Sequence, residues 1–290
     1  MINLIKMTEN ITNSGNFIVG YNGKKPIVAD VTYPQNVKHL PVVIFCHGYK
    51  GFKDWGAWGL VAKAFAQNGF AFFKFNFSHN GGTFEQPIDF PDLEAFSEDN
   101  FSKQLDDLEQ VVDFVLSRKE PLPDIDISKH FLIGHSRGGG ITYIKTAENS
   151  NIKKLVTWAS VADYESRLPQ GKQLEEWKKK GVYYVKNGRT KQDMPHKIQF
   201  YEDFEQHSER LNILSQAKKI NVPTLIIHGE NDETVSNADA ERLKETVPNA
   251  ELKFIKNAGH TFNTAHPWKA SKVPGEMNEV INLTTSFLTS

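Results

Sequence analysis

The segment Phe131-Leu132-Ile133-Gly134-His135-Ser136-Arg137-Gly138 constrains this chain more than any other. An apolar run enters it, and Gly139-Gly140-Ile141-Thr142-Tyr143-Ile144 leaves it with a helix-like pattern. A serine with glycine two positions before and two after, between strand and helix, marks a sharp turn. Such a turn strains the serine backbone, and only small neighbours tolerate the crowding. It lifts the Ser136 hydroxyl clear of a sheet. It also sets the Arg137 N–H close to a helix N-terminus, where negative charge is favoured. A glycine-rich turn with an incidental serine is the plain alternative, and the rest of the chain bears on the choice.

Strand and helix signals alternate along the sequence. Ile27 to Tyr33 alternates apolar and polar residues and stops at Pro34, as a strand does. Pro41 to Cys46 is a continuous apolar, β-branched run, expected of a strand covered on both faces. Trp58 to Asn68 reads as a helix ending at Gly69, and Phe70 to Phe77 as a strand. Phe101, Leu105, Leu108, Val112 and Val115 recur at helical spacing on a helix closing near Lys119, before Pro121. Further strands are expected at Leu155–Trp158, Pro223–His228 and Glu251–Ile255. Helices are expected at Asn237–Thr246 and Glu276–Leu288. This rhythm implies an α/β fold: a doubly wound, mostly parallel sheet with helices on both faces.

One stretch breaks the rhythm. From Asp163 to Ser215 the chain is polar, charged and aromatic, and too long for an ordinary connection. It reads as a lid or cap (163–215) inserted into a core formed by 1–162 and 216–290, with a decorative surface excursion as the plain alternative. Its aromatic residues Trp177, Tyr183 and Phe200 are candidate pocket walls. Lys178-Lys179-Lys180 and Glu175-Glu176 read as solvated faces.

Composition narrows the function classes. The net charge is −1, so nothing points to nucleic acid or an anionic membrane. The one cysteine, Cys46, lies in an apolar run and reads as a buried core thiol. Without a disulfide framework nothing indicates an oxidising compartment. Met1-Ile2-Asn3-Leu4-Ile5-Lys6 lacks the apolar length of a signal peptide, and no apolar stretch approaches a bilayer span. A cytoplasmic location is the expectation. No metal-ligand spacing, phosphate-binding loop or dinucleotide fingerprint occurs, so neither metal nor cofactor is expected.

The chemistry of Ser136 dictates what else to look for. A serine hydroxyl needs a base to take its proton, and the base needs an acid to orient it. Histidine is the usual base. After the strand Thr224-Leu225-Ile226-Ile227-His228 comes Gly229-Glu230-Asn231-Asp232, and after Leu252-Lys253-Phe254-Ile255 comes Asn257-Ala258-Gly259-His260. Asp232 and His260 each follow a strand end, where loop residues of such a sheet face the site. Each read singly is an ordinary cap or loop residue. Asp163, after the Leu155–Trp158 strand, is the competing acid. An oxyanion needs donors placed beforehand. Arg137 N–H is one. Tyr49 N–H, in His47-Gly48-Tyr49-Lys50-Gly51, is the other, with His47 ordering the loop. His135 should point away from the chemistry. His79, at another strand end, is a pocket candidate or a loop-ordering residue. Lys50 and Lys53 read as solvated, with attraction of an acidic substrate as the alternative.

At these residues the chain resembles the α/β-hydrolase superfamily. The likeness is carried by His47-Gly48, Gly134-His135-Ser136-Arg137-Gly138, the His228-Gly229 to Asp232 segment with Val235, and Gly259-His260, and it spans roughly Pro26 to Leu288. Within the superfamily it is most similar to bacterial feruloyl/cinnamoyl esterases and related dienelactone-hydrolase or serine-aminopeptidase-like members. The resemblance implies a triad of Ser136, Asp232 and His260, with backbone donors from Tyr49 and Arg137. It also implies a cofactor-free serine carboxylesterase acting on small acyl or aryl esters. Arg137 stands where many such esterases carry glutamine. Two rivals accompany this reading: a peptidase or amidase, with Glu165 or Glu205 anchoring a peptide terminus, and a non-catalytic binding protein of the same fold.

Overall fold

A computed structural model describes residues 10–290. The Met1–Lys6 segment, read above for a signal sequence, lies outside the described residues. The chain opens with β1 (Ile11–Asn13), β2 (Phe17–Asn22), β3 (Lys25–Pro34) and β4 (Leu40–Cys46). Helix α1 (Trp58–Gln67) leads to β5 (Ala71–Asn76), then to α2 (Leu93–Ser97) and α3 (Phe101–Leu116). The elbow region is β6 (Ile125–His135) and α4 (Arg137–Glu148), followed by β7 (Lys154–Trp158). Next come α5 (Gly171–Lys180), β8 (Val182–Lys186), β9 (Asp193–Lys197), α6 (Gln199–Gln206) and α7 (Ile213–Ala217). The chain closes with β10 (Thr224–Gly229), α8 (Asn237–Thr246), β11 (Ala250–Ile255) and α9 (Gly275–Thr289).

Among the described residues nine strands form one sheet, in the order β1-β3-β5-β4-β6-β7-β10-β11 with β2 also on β3. From β5 to β11 every pairing is parallel, whereas β1, β2 and β5 all run antiparallel to β3. The parallel part follows from strands buried on both faces. In β4, Val42, Ile44 and Cys46 enter the core under α3 and α4, while Val43 and Phe45 enter the core under α1 and α9. Helix α1 stops at Asn68, and Gly69 follows with φ +84°, a conformation a side chain resists. Helix α3 begins where Asn100 Oδ1 accepts from Lys103 N at 2.8 Å. No described helix is long and apolar enough to cross a membrane.

Three departures from the sequence reading have physical causes. Strand β1 is only three residues long, and β2 is half exposed with its register on β3 shifting between Ile18 and Gly20, so neither carries a clean periodic signal. The 163–215 stretch is structured: α5, the β8–β9 hairpin and α6 fold there, and Trp177 and Phe200 pack onto the main core. Its last part is core outright, because Leu211 and Ile213 are buried in that cluster. The exposed cations behave as expected, with Lys180 pairing with Glu176 at 3.2 Å. Lys53, in contrast, is 1 % exposed. Its Nζ lies 2.5 Å from both Asp30 Oδ2 and Asp54 Oδ2, and Lys74 meets the same two carboxylates. This ion cluster ties the loop after β4 to β3 and β5.

At the elbow, packing leaves no room for side chains. A Cβ on Gly138 would stand 2.6 Å from Cys46 O and closer still to His47 O. One on Gly134 would meet Gly138 O at 2.6 Å. Gly138→Ala should therefore destabilise the protein by about 3 kcal/mol, since backbone cannot yield as a flexible side chain can. Gly59→Ala, in α1 with open space around it, should gain about 0.5 kcal/mol from helix propensity. Urea midpoints of the two variants check this; shifts of the same sign would contradict it.

Candidate active site

Strand β6 ends at His135 and α4 begins at Arg137, leaving Ser136 between them at φ 57°, ψ −121°. Its N–H donates to Trp158 O at 2.9 Å, and its carbonyl accepts from Gly139 N at 3.0 Å and Val161 N at 3.3 Å. These bonds from β7 and its following loop hold the strained residue in place.

Asp232 and His260 come from neighbouring loops. The turn after β10 is closed by Asp232 N donating to Gly229 O at 3.2 Å, and it is tied to the next loop by Asn231 N donating to Ala258 O at 2.9 Å. Asp232 Oδ1 accepts from Thr234 N at 2.8 Å and Val235 N at 2.9 Å. Its Oδ2 lies 2.8 Å from His260 Nδ1 and 3.3 Å from His228 Nε2. Burial alone would raise this carboxyl, but the hydrogen bonds from His228 and His260 and the turn amides hold it well below the usual range. A carboxylate facing Nδ1 puts the proton there, so Nε2 is free to accept. His260 Nε2 lies 2.9 Å from Ser136 Oγ. The structure thus brings together the three side chains singled out in the sequence.

The loop after β4 packs against the serine. A Cβ on Gly48 would stand 2.9 Å from Ser136 Cβ. His47 Nδ1 donates to Gly48 O at 2.9 Å, and Nε2 accepts from Phe77 N at 3.4 Å. Burial pulls the His47 imidazole down to about 4, so it is neutral at neutral pH. Arg137 N–H sits on the first residue of α4, where no helical carbonyl precedes it. Tyr49 shares a 2.7 Å hydrogen bond between its hydroxyl and His196 Nε2 on β9, so the hairpin is fastened to this loop. His135, expected to point away from the chemistry, instead borders the site, with its ring 5.0 Å from the His260 ring; its Nε2 bonds His260 O at 3.0 Å, and burial brings it down to about 3.

Two cavities adjoin the loop. One, of about 140 Å³, is lined by Ser136, His260, His135, Trp55, Trp58 and Lys50. The other, of about 300 Å³, is lined by Arg137, Trp177, Tyr183, His196 and Phe200. Tyr49 borders both. Trp177, Tyr183 and Phe200 therefore share one cavity. His79 borders neither: its Nδ1 is 2.7 Å from Ser78 Oγ, which in turn bonds Asp107. It is a buried loop-ordering residue, and this corrects its reading as a pocket residue. Asp163 accepts from Glu165 N and Ser166 N, both at 3.0 Å, and so caps a single turn. Burial raises the Cys46 thiol far above its usual value. The His196 ring and the His228 ring beside Asp232 were not anticipated as part of this region. No local pattern marks their roles, which arise from contacts across the fold.

This chain is similar to several known proteins. The family model described as "Serine aminopeptidase, S33" matches residues 38–208 and 195–264. "Uncharacterized peptidase YuxL" of Bacillus subtilis (strain 168) is 28% identical over 184 residues, 60% of this chain. The match covers 25% of that protein, so this chain spans about a quarter of its length. Among solved structures, Est1E from Butyrivibrio proteoclasticus aligns with a TM-score of 0.68 at 16% identity, covering 95% of this chain and 98% of that one. A putative dienelactone hydrolase from Klebsiella pneumoniae subsp. pneumoniae MGH 78578 aligns with a TM-score of 0.63 at 17% identity, covering 97% and 100%. At these identities the structural likeness speaks to the fold, which is that of the α/β hydrolases. The family match reaches further, running through the elbow strand, the Asp232 turn and the His260 loop, and by it the chain belongs to the serine aminopeptidase S33 family of hydrolases.

Proposed function

We propose that the protein is a serine carboxylesterase that cleaves small acyl or aryl esters through Ser136, His260 and Asp232. The observation that carries this reading is the unbroken chain from Asp232 Oδ2 through the His260 ring to Ser136 Oγ, at 2.8 and 2.9 Å. In the first half-reaction the Ser136 proton passes to His260 Nε2 as Oγ bonds the ester carbonyl carbon. The carbonyl oxygen becomes an oxyanion, met by the N–H groups of Tyr49 and Arg137. Collapse breaks the bond to the alcohol oxygen, which leaves with the proton from His260. In the second half, His260 takes a proton from water as the water oxygen attacks the acyl-enzyme. Collapse returns that proton to Ser136 and releases the acid. Asp232 orients the imidazole and stabilises its cationic form throughout.

The family description and the name of YuxL favour peptide cleavage as a second reading. The larger cavity supports the ester reading instead. An aminopeptidase needs an anion for the substrate's α-ammonium, and among the described residues no carboxylate lines that cavity. Glu165 and Glu205 line a separate one with Tyr201. Est1E has been solved with ferulic acid, and the aromatic walls here suit an aryl group of that kind.

Ser136→Ala should lower ester turnover by about a million-fold with the fold intact by circular dichroism, and should abolish labelling by a fluorophosphonate probe. Turnover near the wild-type level would remove Ser136 from the mechanism. Asp232→Asn should lower kcat by about 10,000-fold, because it favours the wrong imidazole tautomer, whereas Asp163→Asn should leave turnover unchanged; the reverse pattern would reassign the acid. In a substrate panel, p-nitrophenyl acetate should be turned over far faster than aminoacyl-naphthylamides. A preference for the amides would favour the peptidase.

A further inference from the structure

The inference rests on Ser136 hydrolysing an ester and concerns what the acyl group of that ester carries. Arg137 follows the serine, and its side chain is only 19 % exposed. The guanidinium lies 4.0 Å from the centre of the Tyr49 ring, with Phe101 and Phe200 at 5.4 and 5.3 Å. Asp99 Oδ2 is 4.0 Å from it, beyond hydrogen-bond reach. That oxygen accepts from Gln104 at 2.7 Å instead, and Asp99 Oδ1 has no partner. Among the described residues nothing accepts a hydrogen bond from the Arg137 guanidinium. A planar cation stacked on aromatic rings, with its donors unspent, matches a carboxylate in geometry and charge.

The surroundings agree in sign. Arg137 opens into the larger cavity, whose lining includes Arg167 and, among the described residues, no acid. Arg167 is engaged with Asp239 at 3.3 Å, so it contributes potential rather than a free donor. Burial pushes the Asp99 carboxyl up to about 7, so near neutral pH it neutralises Arg137 only in part. His196, on the same wall, is neutral because burial brings it down to about 3. The acyl side is the natural direction, because the N–H facing the carbonyl oxygen and the guanidinium belong to one residue. Tyr49 borders both this cavity and the one that holds Ser136 and His260.

We propose that the cavity beneath the β8–β9 hairpin holds the free carboxylate of a dicarboxylic acid half-ester, bound by the Arg137 guanidinium while Ser136 attacks the ester at the other end. Hydrolysis then consumes one water and releases the alcohol and the dicarboxylate.

The test compares mono-p-nitrophenyl glutarate with p-nitrophenyl valerate, which have the same chain length with and without the terminal charge. Wild-type kcat/KM should favour the half-ester by at least tenfold. Arg137→Met should lower that ratio by at least tenfold, and Arg137→Lys should retain part of it. A wild-type preference for valerate, or a ratio unmoved in Arg137→Met, overturns the proposal. Calorimetry of glutarate against valeramide on the Ser136→Ala variant reads the anion site without turnover. Binding of glutarate alone, lost when Arg137→Met is added, supports the site. If no ester is turned over and glutarate still binds in this way, the esterase reading falls and the anion site stands. If esters are turned over without discrimination and glutarate does not bind, the anion site falls alone. Should Arg137→Met fail to fold, the two wild-type-Arg137 comparisons decide.

Discussion

The approach of α4 onto β4 and β7 is the constraint from which the site follows. Backbone meets backbone at Gly138, where Cys46 O and His47 O leave no room for a Cβ. That closeness forces the chain to reverse within one residue, and Ser136 takes the strain at φ 57°. A conformation of this kind costs on the order of 1–3 kcal/mol and persists only where its surroundings over-determine it. Here the surroundings are the bonds to Trp158 and Val161 and the tight packing of the glycine run. The turn raises the Ser136 hydroxyl toward His260, exposes the Arg137 amide at a helix start, and sends the Arg137 side chain toward the insertion.

The opposing loop needs its own anchor, and electrostatics provides it. Lys53 and Lys74 share Asp30 and Asp54 at the edge of the sheet. Breaking one partner of such a buried set would strand an uncompensated charge, so the set acts all together or not at all. Asn76 Oδ1 adds a 2.6 Å bond to Lys53 N. Held at that end, the loop offers Gly48 and Tyr49 to the serine. At its other side Tyr49 holds His196 and stacks on Arg137. One tyrosine thus links the loop after β4, the elbow and the β8–β9 hairpin.

What could be read from the sequence was whatever depends on local periodicity or on residue order. Apolar runs buried on both faces announce β4, β6, β7 and β10. Gly69 marks a helix end. The order serine, aspartate, histidine at successive strand ends is also a property of the chain alone. Features that depend on burial of polar groups were hidden. Lys53 looks solvated in a line of text and is enclosed in the fold. His79 sits at a strand end like a site residue, yet the Ser78–Asp107 pair draws it inward. Strand β9 has the polar composition of a surface loop, yet its Met194 is buried against Phe52, Phe90 and Phe96, a contact no local pattern announces. Arg137 was legible as a backbone donor, whereas its side chain's lack of a partner is visible only in three dimensions.

Cys46 carries a practical consequence. It is the chain's sole cysteine, it is fully enclosed in β4, and burial keeps its thiol protonated. Maleimides and disulfide reagents should find nothing to modify in the folded protein. A cysteine introduced on the hairpin, at exposed Tyr184 for instance, would then be the single reactive handle. The position of the hairpin relative to the elbow becomes measurable by a spin label or fluorophore with no background to remove.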